Sequence, residues 1–407
     1  MEETPVSQTR LAAANRAALG AMPPSIWALG LGSMFMDTSS ELVHSLLPIF
    51  MASVLGASMV TIGFVEGVAE ATAAITKVFS GAISDALGKR KFLVVFGYGL
   101  GAVTKPVFPL ATSIGWVFTA RFIDRLGKGI RGAPRDALVA DITPPALRGS
   151  AYGLRQSLDS VGAFAGPLLA VMLMTWFAND IRAVLWVAAA PAFIAVALLM
   201  VAVREPERHE PSQRAPLTLA AAARLPRRYW LVVPVGAVLT LARFSEAFLV
   251  LRAQSVGFAI GHVPVVMIVM NVIYAGVAYP AGIAADRFSR RMLLIAGLAM
   301  LIAADLVLAA AAAPSHVLVG AALWGAHMGL TQGLLSKLVA DASPVDLRGT
   351  TFGIFNLVSG AALLLASVIA GALWSAIGAP ATFLAGATFA ALAAVGLLAY
   401  RPSSRVT

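Results

Sequence analysis

LVADITPPALRGSAYG, running from Leu138 to Gly153, returns as LVADASPVDLRGTTFG from Leu338 to Gly353. A second pair lies at nearly the same offset: GAISDALGKRKFL from Gly81 and GIAADRFSRRMLL from Gly282. In a strongly apolar chain, a repeat of this length means two membrane half-domains of equal size, related as parallel repeats. One half can then rock against the other around a shared central site.

Composition sets the class. The 407 residues are 59% hydrophobic and 12% charged, against about 25% charged in a typical soluble domain. Apolar stretches of roughly 20 residues, enough to span a bilayer, recur about twelve times. They fall near 26–54, 59–82, 92–113, 115–140, 147–176, 181–203, 230–257, 262–285, 292–313, 315–340, 347–376 and 379–400. No ten-residue units alternate polar and apolar residues, which excludes a β-barrel. The expected architecture is all-α, with twelve transmembrane helices in two pseudo-symmetric six-helix bundles. Its domains are an N-terminal tail (1–25), a first bundle (26–203), a polar linker (204–229), a second bundle (230–400) and a short C-terminal tail (401–407).

The net charge of +10 is topological and does not mark a nucleic-acid surface. Of 30 Lys and Arg, 11 fall inside predicted spans; of the other 19, 18 lie on one side of the membrane and only Arg182 on the other. The positive-inside rule places both tails in the cytoplasm, as expected for the inner membrane of a bacterial-type cell. Residues 1–25 lack a signal-peptide pattern, so the first span doubles as the insertion signal. There are no cysteines and hence no thiol chemistry.

The second repeated pair occupies the tight turns between spans two and three and between spans eight and nine. Gly81-x3-Asp85-x2-Gly88-x-Arg90-Lys91 resembles the loop signature of the major facilitator superfamily, and Gly282-x3-Asp286 with Arg290 is similar to its C-half echo. The echo has Ser289 where the second glycine would stand. The resemblance implies twelve spans, alternating access, and a gating role for Asp85 and Asp286 in a charge network. Arg148 and Arg348, within the longer repeat, join Gly81, Gly88, Arg90 and Gly282 as gating candidates. Arg125-x2-Lys128-Gly129 resembles the superfamily's span-four signature, with Lys128 where Gln is more usual; this implies a proton-handling role for Arg125. Gly162-x3-Gly166-Pro167 resembles the start of the antiporter signature, although Ala170-Val171 replaces the glycine pair that would follow.

Departures from the repeat point to chemistry. Span four carries Arg121, Asp124, Arg125, Lys128, Arg131, Arg135 and Asp136, within about 140° of one helix face at 100° per residue. Their counterparts 200 residues on are Ala321, Trp324, Gly325, Met328, Thr331, Leu335 and Ser336. From Arg121 to Arg135 the column is about 21 Å long. Charges facing lipid are costly, so this face must meet water or acids. Acids are at hand: Asp37 and Glu41, with His44, on one face of span one; Glu66 and Glu70, with Lys77, on span two; and Asp159 beside Arg155 on span five.

Asp37, Glu41, His44, Glu66, Glu70, Arg125 and Asp159 are therefore candidates for proton coupling. Glu41 leads them, with His44 able to titrate unaided. Arg121, Asp124, Lys128, Arg131, Arg155 and Glu246 are candidates for substrate binding. The alternative for any one of them is a structural ion pair; for the whole set this is weaker, since buried pairs seldom add net stability.

The C-half is sparse, with Arg243 and Glu246 expected to pair along span seven and the remaining wall expected to be apolar. His262, Met267 and Met270 do not make a convincing metal set, and the aromatic residues look scattered. No catalytic nucleophile or nucleotide-binding loop is present, so neither an enzyme nor a cofactor is expected. The expected partners are a small-molecule substrate, protons and the lipid bilayer around a monomer. Two directions stay open: proton-coupled efflux of an amphiphilic, drug-like solute, favoured by the partial antiporter signature, and uptake of an anionic metabolite or metal chelate, favoured by the basic face. A non-transporting receptor or scaffold is opposed by the gating signatures in both halves.

Overall fold

The computed structural model describes residues 20–205, 225–344 and 347–399. The N-terminal tail through residue 19, the linker over 206–224 and the C-terminal tail from residue 400 lie outside the described residues, as do the side chains of Asp85, Asp286, Arg290 and Arg348.

The repeat is exact in structure where it is clearest in sequence. Span four is Ile114–Ile142 and span ten is Pro314–Ala342; span five is Arg148–Trp176 and span eleven is Arg348–Ala376. Each is 29 residues long and each pair is offset by 200. Prolines 144 and 344 end the preceding helices because a residue before proline leaves the α region. The other passes are span one (Pro24–Ile49, with a π-helical turn Phe50–Val54), span two (Met59–Leu87), span eight (Val265–Arg287), span nine (Arg290–Ala309) and span twelve (Ala379–Ala399). Three passes are broken: span three at Pro106 (Arg90–Thr104, Val107–Leu110), span six at Ala188 (Ile181–Val187, Ala189–Ala202), and span seven between Arg227–Leu241 and Ala247–Ser255.

The two short turns of the second repeat are built differently. Gly88 adopts φ +66° and caps span two through its N–H to the Ser84 carbonyl, a left-handed ending that glycine allows. In the C-half, Phe288 is extended and the Ser289 hydroxyl accepts the Met292 N–H at the start of span nine. Replacing glycine by serine thus exchanges a C-cap for an N-cap.

Eight of the passes are long and apolar enough to cross a membrane on composition alone. The four that are not are the first, fourth, seventh and tenth. Every third helix is therefore less apolar than its neighbours, and its polar face needs water or protein to meet it. Around them, span one packs on five and six, span two on four, span three on four and six, eight on ten, nine on ten and twelve, and seven on eleven and twelve. The halves meet along spans two and eleven, and along spans five and eight.

We call the end where span one begins and span twelve ends proximal, and the opposite end distal. At the distal end one apolar core runs continuously through both halves, from Leu42–Met51 and Val184 to Phe248, Leu301 and Phe383. At the proximal end the core divides into separate clusters, one around Ile26, Val94 and Leu199 and another around Tyr229, Val339 and Phe355. The halves are therefore joined distally and parted proximally. Ser53 Oγ accepts a hydrogen bond from Gln254 Nε2 at 2.7 Å across the distal end. Trp116, Trp176 and Trp186 project outward there, placed to anchor at a membrane–water interface.

Candidate functional site

The cleft between the halves holds two adjoining cavities of about 490 and 460 Å³. The proximal one is lined by Asp37, Lys77, Arg131, Arg135 and Asp159; the deeper one by His44, Arg125, Arg243, Glu246, Trp324 and Gln332. Glu41, Glu70, Lys128, Asn271 and Tyr274 border both.

Two glycines set how closely the acids of span one approach. A Cβ on Gly166 would lie 2.7 Å from the Thr38 carbonyl oxygen and 2.8 Å from the Glu41 Cβ; one on Gly162 would lie 3.0 Å from the Asp37 Cβ. Span five therefore presses against the backbone of span one beside both carboxylates, and the Gly162-x3-Gly166 pair acts here as a packing surface.

The basic face of span four divides into two layers. Towards the distal end its charges are buried in pairs. Arg121 Nη2 lies 2.7 Å from Glu66 Oε2, with the two side chains 1% and 0% exposed. Lys105 Nζ lies 2.9 Å from Asp124 Oδ1 and donates to Ser40 Oγ at 3.1 Å. Proximally the charges face the cleft. Arg125 Nη2 is 3.3 Å from Glu70 Oε1. Arg131 stacks over the Tyr98 ring at 4.4 Å, leaving Nη1 without a hydrogen-bond partner. Arg135 donates to Ser33 Oγ at 2.6 Å and stands 4.0 Å from Asp159, which Arg155 Nη1 holds at 2.6 Å. Lys77 and Lys128 are exposed to the cleft and form no ion pair within 4 Å among the described residues.

His44 connects the two layers. Its Nδ1 is 3.5 Å from Glu41 Oε2, a group on the cavity wall, and its Nε2 is 3.9 Å from the fully buried Glu66 Oε2. Glu66 follows Met59 by seven residues and Arg121 follows Ile114 by seven, which puts their pair about 10 Å below the distal helix ends. A chain of titratable groups thus leads from the cavity into the closed half of the molecule.

Of the residues singled out from sequence, Asp37, Glu41, His44, Glu70, Arg125, Lys128, Arg131, Asp159 and Glu246 line the cleft. Arg121, Asp124 and Glu66 sit behind it in the buried pairs, and Arg155 orients Asp159. Among the gating candidates, Arg90 Nη1 pairs with Asp141 Oδ2 at 2.5 Å, tying the start of span three to the end of span four. Gly81 packs near Ala133 of span four, Gly282 has open space around it, and Arg148 is exposed.

Two expectations are corrected. Arg243 and Glu246 do not pair along a helix: both lie within the break in span seven, and no ion pair within 4 Å joins them. The break is stabilised by Ser367 of span eleven, whose Oγ accepts the Ser245 N–H at 3.2 Å, and by Ser245 Oγ, which accepts the Ala247 N–H at 3.2 Å. The aromatic residues of the C-half are not scattered either. Phe244 meets Trp324, Phe383 and Phe248 at 5.3, 5.6 and 5.7 Å between ring centroids, and Trp374 joins Phe248 and Phe383 at 5.9 and 6.2 Å. These rings come from spans seven, ten, eleven and twelve. The C-half wall is accordingly aromatic but also polar, with Asn271 donating to the Ala163 carbonyl at 3.0 Å across the cleft and Tyr274 bonding Gln332 at 3.1 Å.

Residues 29–270 and 240–407 match the family model described as Major Facilitator Superfamily. An uncharacterised MFS-type transporter of Methanocaldococcus jannaschii is 31% identical over 382 residues, spanning 92% of this chain and 94% of that protein. The multidrug resistance protein MdtH of Proteus mirabilis is 30% identical over a shorter 159 residues, 39% of each chain. Among solved structures, the nucleoside transporter NupG superposes with a TM-score of 0.71 at 14% identity, covering 92% of this chain and 97% of that one. A cleft between two repeat-related six-helix bundles, lined from both halves, agrees with these matches. The chain belongs to the Major Facilitator Superfamily, as a multi-pass membrane transporter and not an enzyme.

Proposed function

We propose that this transporter couples solute movement to protons, and that Glu41, His44 and Glu66 carry the proton. The supporting observation is the position of His44 between a carboxylate on the cavity wall and one buried behind it. Imidazole accepts a proton at one nitrogen while giving one up at the other, so it can pass charge between the two acids. A proton on Glu41 removes one negative charge from the cavity beside Lys128 and Arg125. A cationic solute would therefore compete with the proton for Glu41, as exchange requires, whereas an anionic one would bind together with it.

With the proximal end cytoplasmic, as the distribution of Lys and Arg supports, the cleft opens inward in this state. The solute would enter from the cytoplasm, settle between the charged N-half wall and the ring of Phe244, and leave distally once Ser53 and Gln254 part. We favour efflux of a small amphiphilic solute: one wall is aromatic, the other charged, and part of the chain is similar to a multidrug resistance protein. Uptake of an anionic solute is the second reading, favoured by Lys77 and Lys128, two ammonium groups that face the cleft without an ion-pair partner among the described residues.

Purified protein in proteoliposomes loaded with a pH-sensitive dye, challenged with a panel of cationic, anionic and neutral amphiphiles, separates these readings. Solute-dependent proton movement opposite to the solute supports efflux by exchange. Proton movement with an anion supports uptake. Solute transport with no proton movement would overturn the coupling.

A further inference from the structure

The C-half holds a carboxyl group that the cavity does not use. Asp305, on span nine, is 0% exposed, and neither of its carboxyl oxygens has a hydrogen-bond partner. Space for it is made by Gly386 of span twelve, where a Cβ would lie 2.6 Å from Asp305 Oδ2 and 2.9 Å from the Phe244 Cε1. The carboxyl group and the edge of the Phe244 ring thus converge on the space this glycine leaves open. Phe244 lines the deep cavity from the break in span seven and packs against Trp324. Trp324 Nε1 is a buried donor that also lacks a partner, and His327 Nε2, one turn along span ten, is a third such atom.

Native interiors leave few polar atoms unpaired, and each asks for a reason. A carboxylate in this site would lose its hydration with nothing in return, whereas the neutral acid loses far less. The charged and titratable groups on the packed elements do not compensate it. His327 on span ten uses Nδ1 on the Gly297 carbonyl. Arg252 on span seven is occupied by the carbonyls of Leu308, Ala309 and Ala311. Arg243 and Glu246 on span seven and Tyr274 on span eight border the cavity on the other side of the rings, and span twelve carries no titratable residue between Ala379 and Ala399. An ionised Asp305 would need a donor. Trp324 Nε1 is a buried donor on the adjoining span, in need of an acceptor, and its ring supports Phe244.

We propose that Asp305 is a second proton-binding site, separate from the Glu41–His44–Glu66 chain, and that releasing its proton draws Trp324 towards it and resets the Phe244 wall of the cavity. The inference does not depend on which solute is carried or on whether Glu41 is the coupling group.

Infrared spectroscopy and tryptophan emission of the purified protein in nanodiscs, across an alkaline titration, test it without a solute. The wild type should show the carbonyl stretch of a carboxylic acid free of hydrogen bonds, and Asp305→Asn should lack it. Tryptophan emission should shift as the band fades, and the shift should be lost in both Asp305→Asn and Trp324→Phe. A band retained in Asp305→Asn, or an emission shift that survives Trp324→Phe, overturns the proposal. If Asp305→Asn does not fold, Trp324→Phe decides alone: loss of the shift supports the proposal and its persistence refutes it.

Discussion

Arg121→Ala removes one partner of a fully buried ion pair and leaves the other in place. In the parent, Glu66 Oε2 receives Arg121 at 2.7 Å, its Oε1 has no partner, and the His44 Nε2 stands off at 3.9 Å. Truncating the arginine strands a carboxylate that is 0% exposed. Breaking a buried pair in this way costs about 3–5 kcal/mol, or roughly two to four orders of magnitude in the folding equilibrium at about 1.4 kcal/mol per tenfold. Removing both charges is different, because an apolar pair of similar volume leaves nothing uncompensated. Arg121→Leu combined with Glu66→Leu should therefore recover most of the loss. SDS-driven unfolding in mixed micelles, followed by tryptophan emission, measures all three proteins. An Arg121→Ala variant within about 0.5 kcal/mol of the parent, the scale of an inconsequential substitution, would refute the reasoning, as would a double variant no more stable than the single one.

Other consequences are expected on the same physical grounds. Gly166→Ala forces a methyl to within 2.7 Å of the Thr38 carbonyl and should cost about 1–3 kcal/mol in thermal unfolding, while Gly153→Ala, with nothing within 4 Å, should cost little. Arg252→Ala strips hydrogen bonds from three carbonyls at the end of span nine; charge-assisted bonds contribute about 1.5–3 kcal/mol each, so a loss of several kcal/mol is expected, with partial rescue by Lys. Lys128→Ala should leave unfolding within about 0.5 kcal/mol of the parent, since the ammonium faces the cleft unpaired, yet lower the affinity for anionic ligands by at least about tenfold in a thermal-shift titration if the anion reading holds.

Much of the fold can be read from the chain. The segments at 138–153 and 338–353 place two helix ends and two helix starts, because Pro144 and Pro344 force the residue before each of them out of the helical region. The Arg155–Asp159 pair follows from i, i+4 spacing and forms at 2.6 Å. Helical periodicity, however, gives the face of a helix and not the helix opposite. It puts Arg121 and Lys128 on one column but cannot tell that the first is sealed against Glu66 and the second open to the cleft. The aromatic cluster draws Phe244 and Phe248 from span seven but only one ring each from spans ten, eleven and twelve, so local spacing announces no more than the first pair. The break in span seven contains neither glycine nor proline. It exists because Ser245 and Ser367 take over backbone hydrogen bonds that lipid could not replace, and that compensation comes from a residue 122 positions away. Spans one, four, seven and ten are apolar enough to stand out along the chain yet fall below the other eight in mean hydropathy, helix length or freedom from charge.

Replacing Glu41 by glutamine keeps the shape of the cavity and removes the group at which the His44 chain meets it. In proteoliposomes, a pH gradient should drive solute movement by the wild type and not by Glu41→Gln, while exchange of labelled for unlabelled solute, which needs no net proton transfer, should continue in both. Gradient-driven transport by Glu41→Gln at the wild-type rate would contradict proton coupling through Glu41, His44 and Glu66.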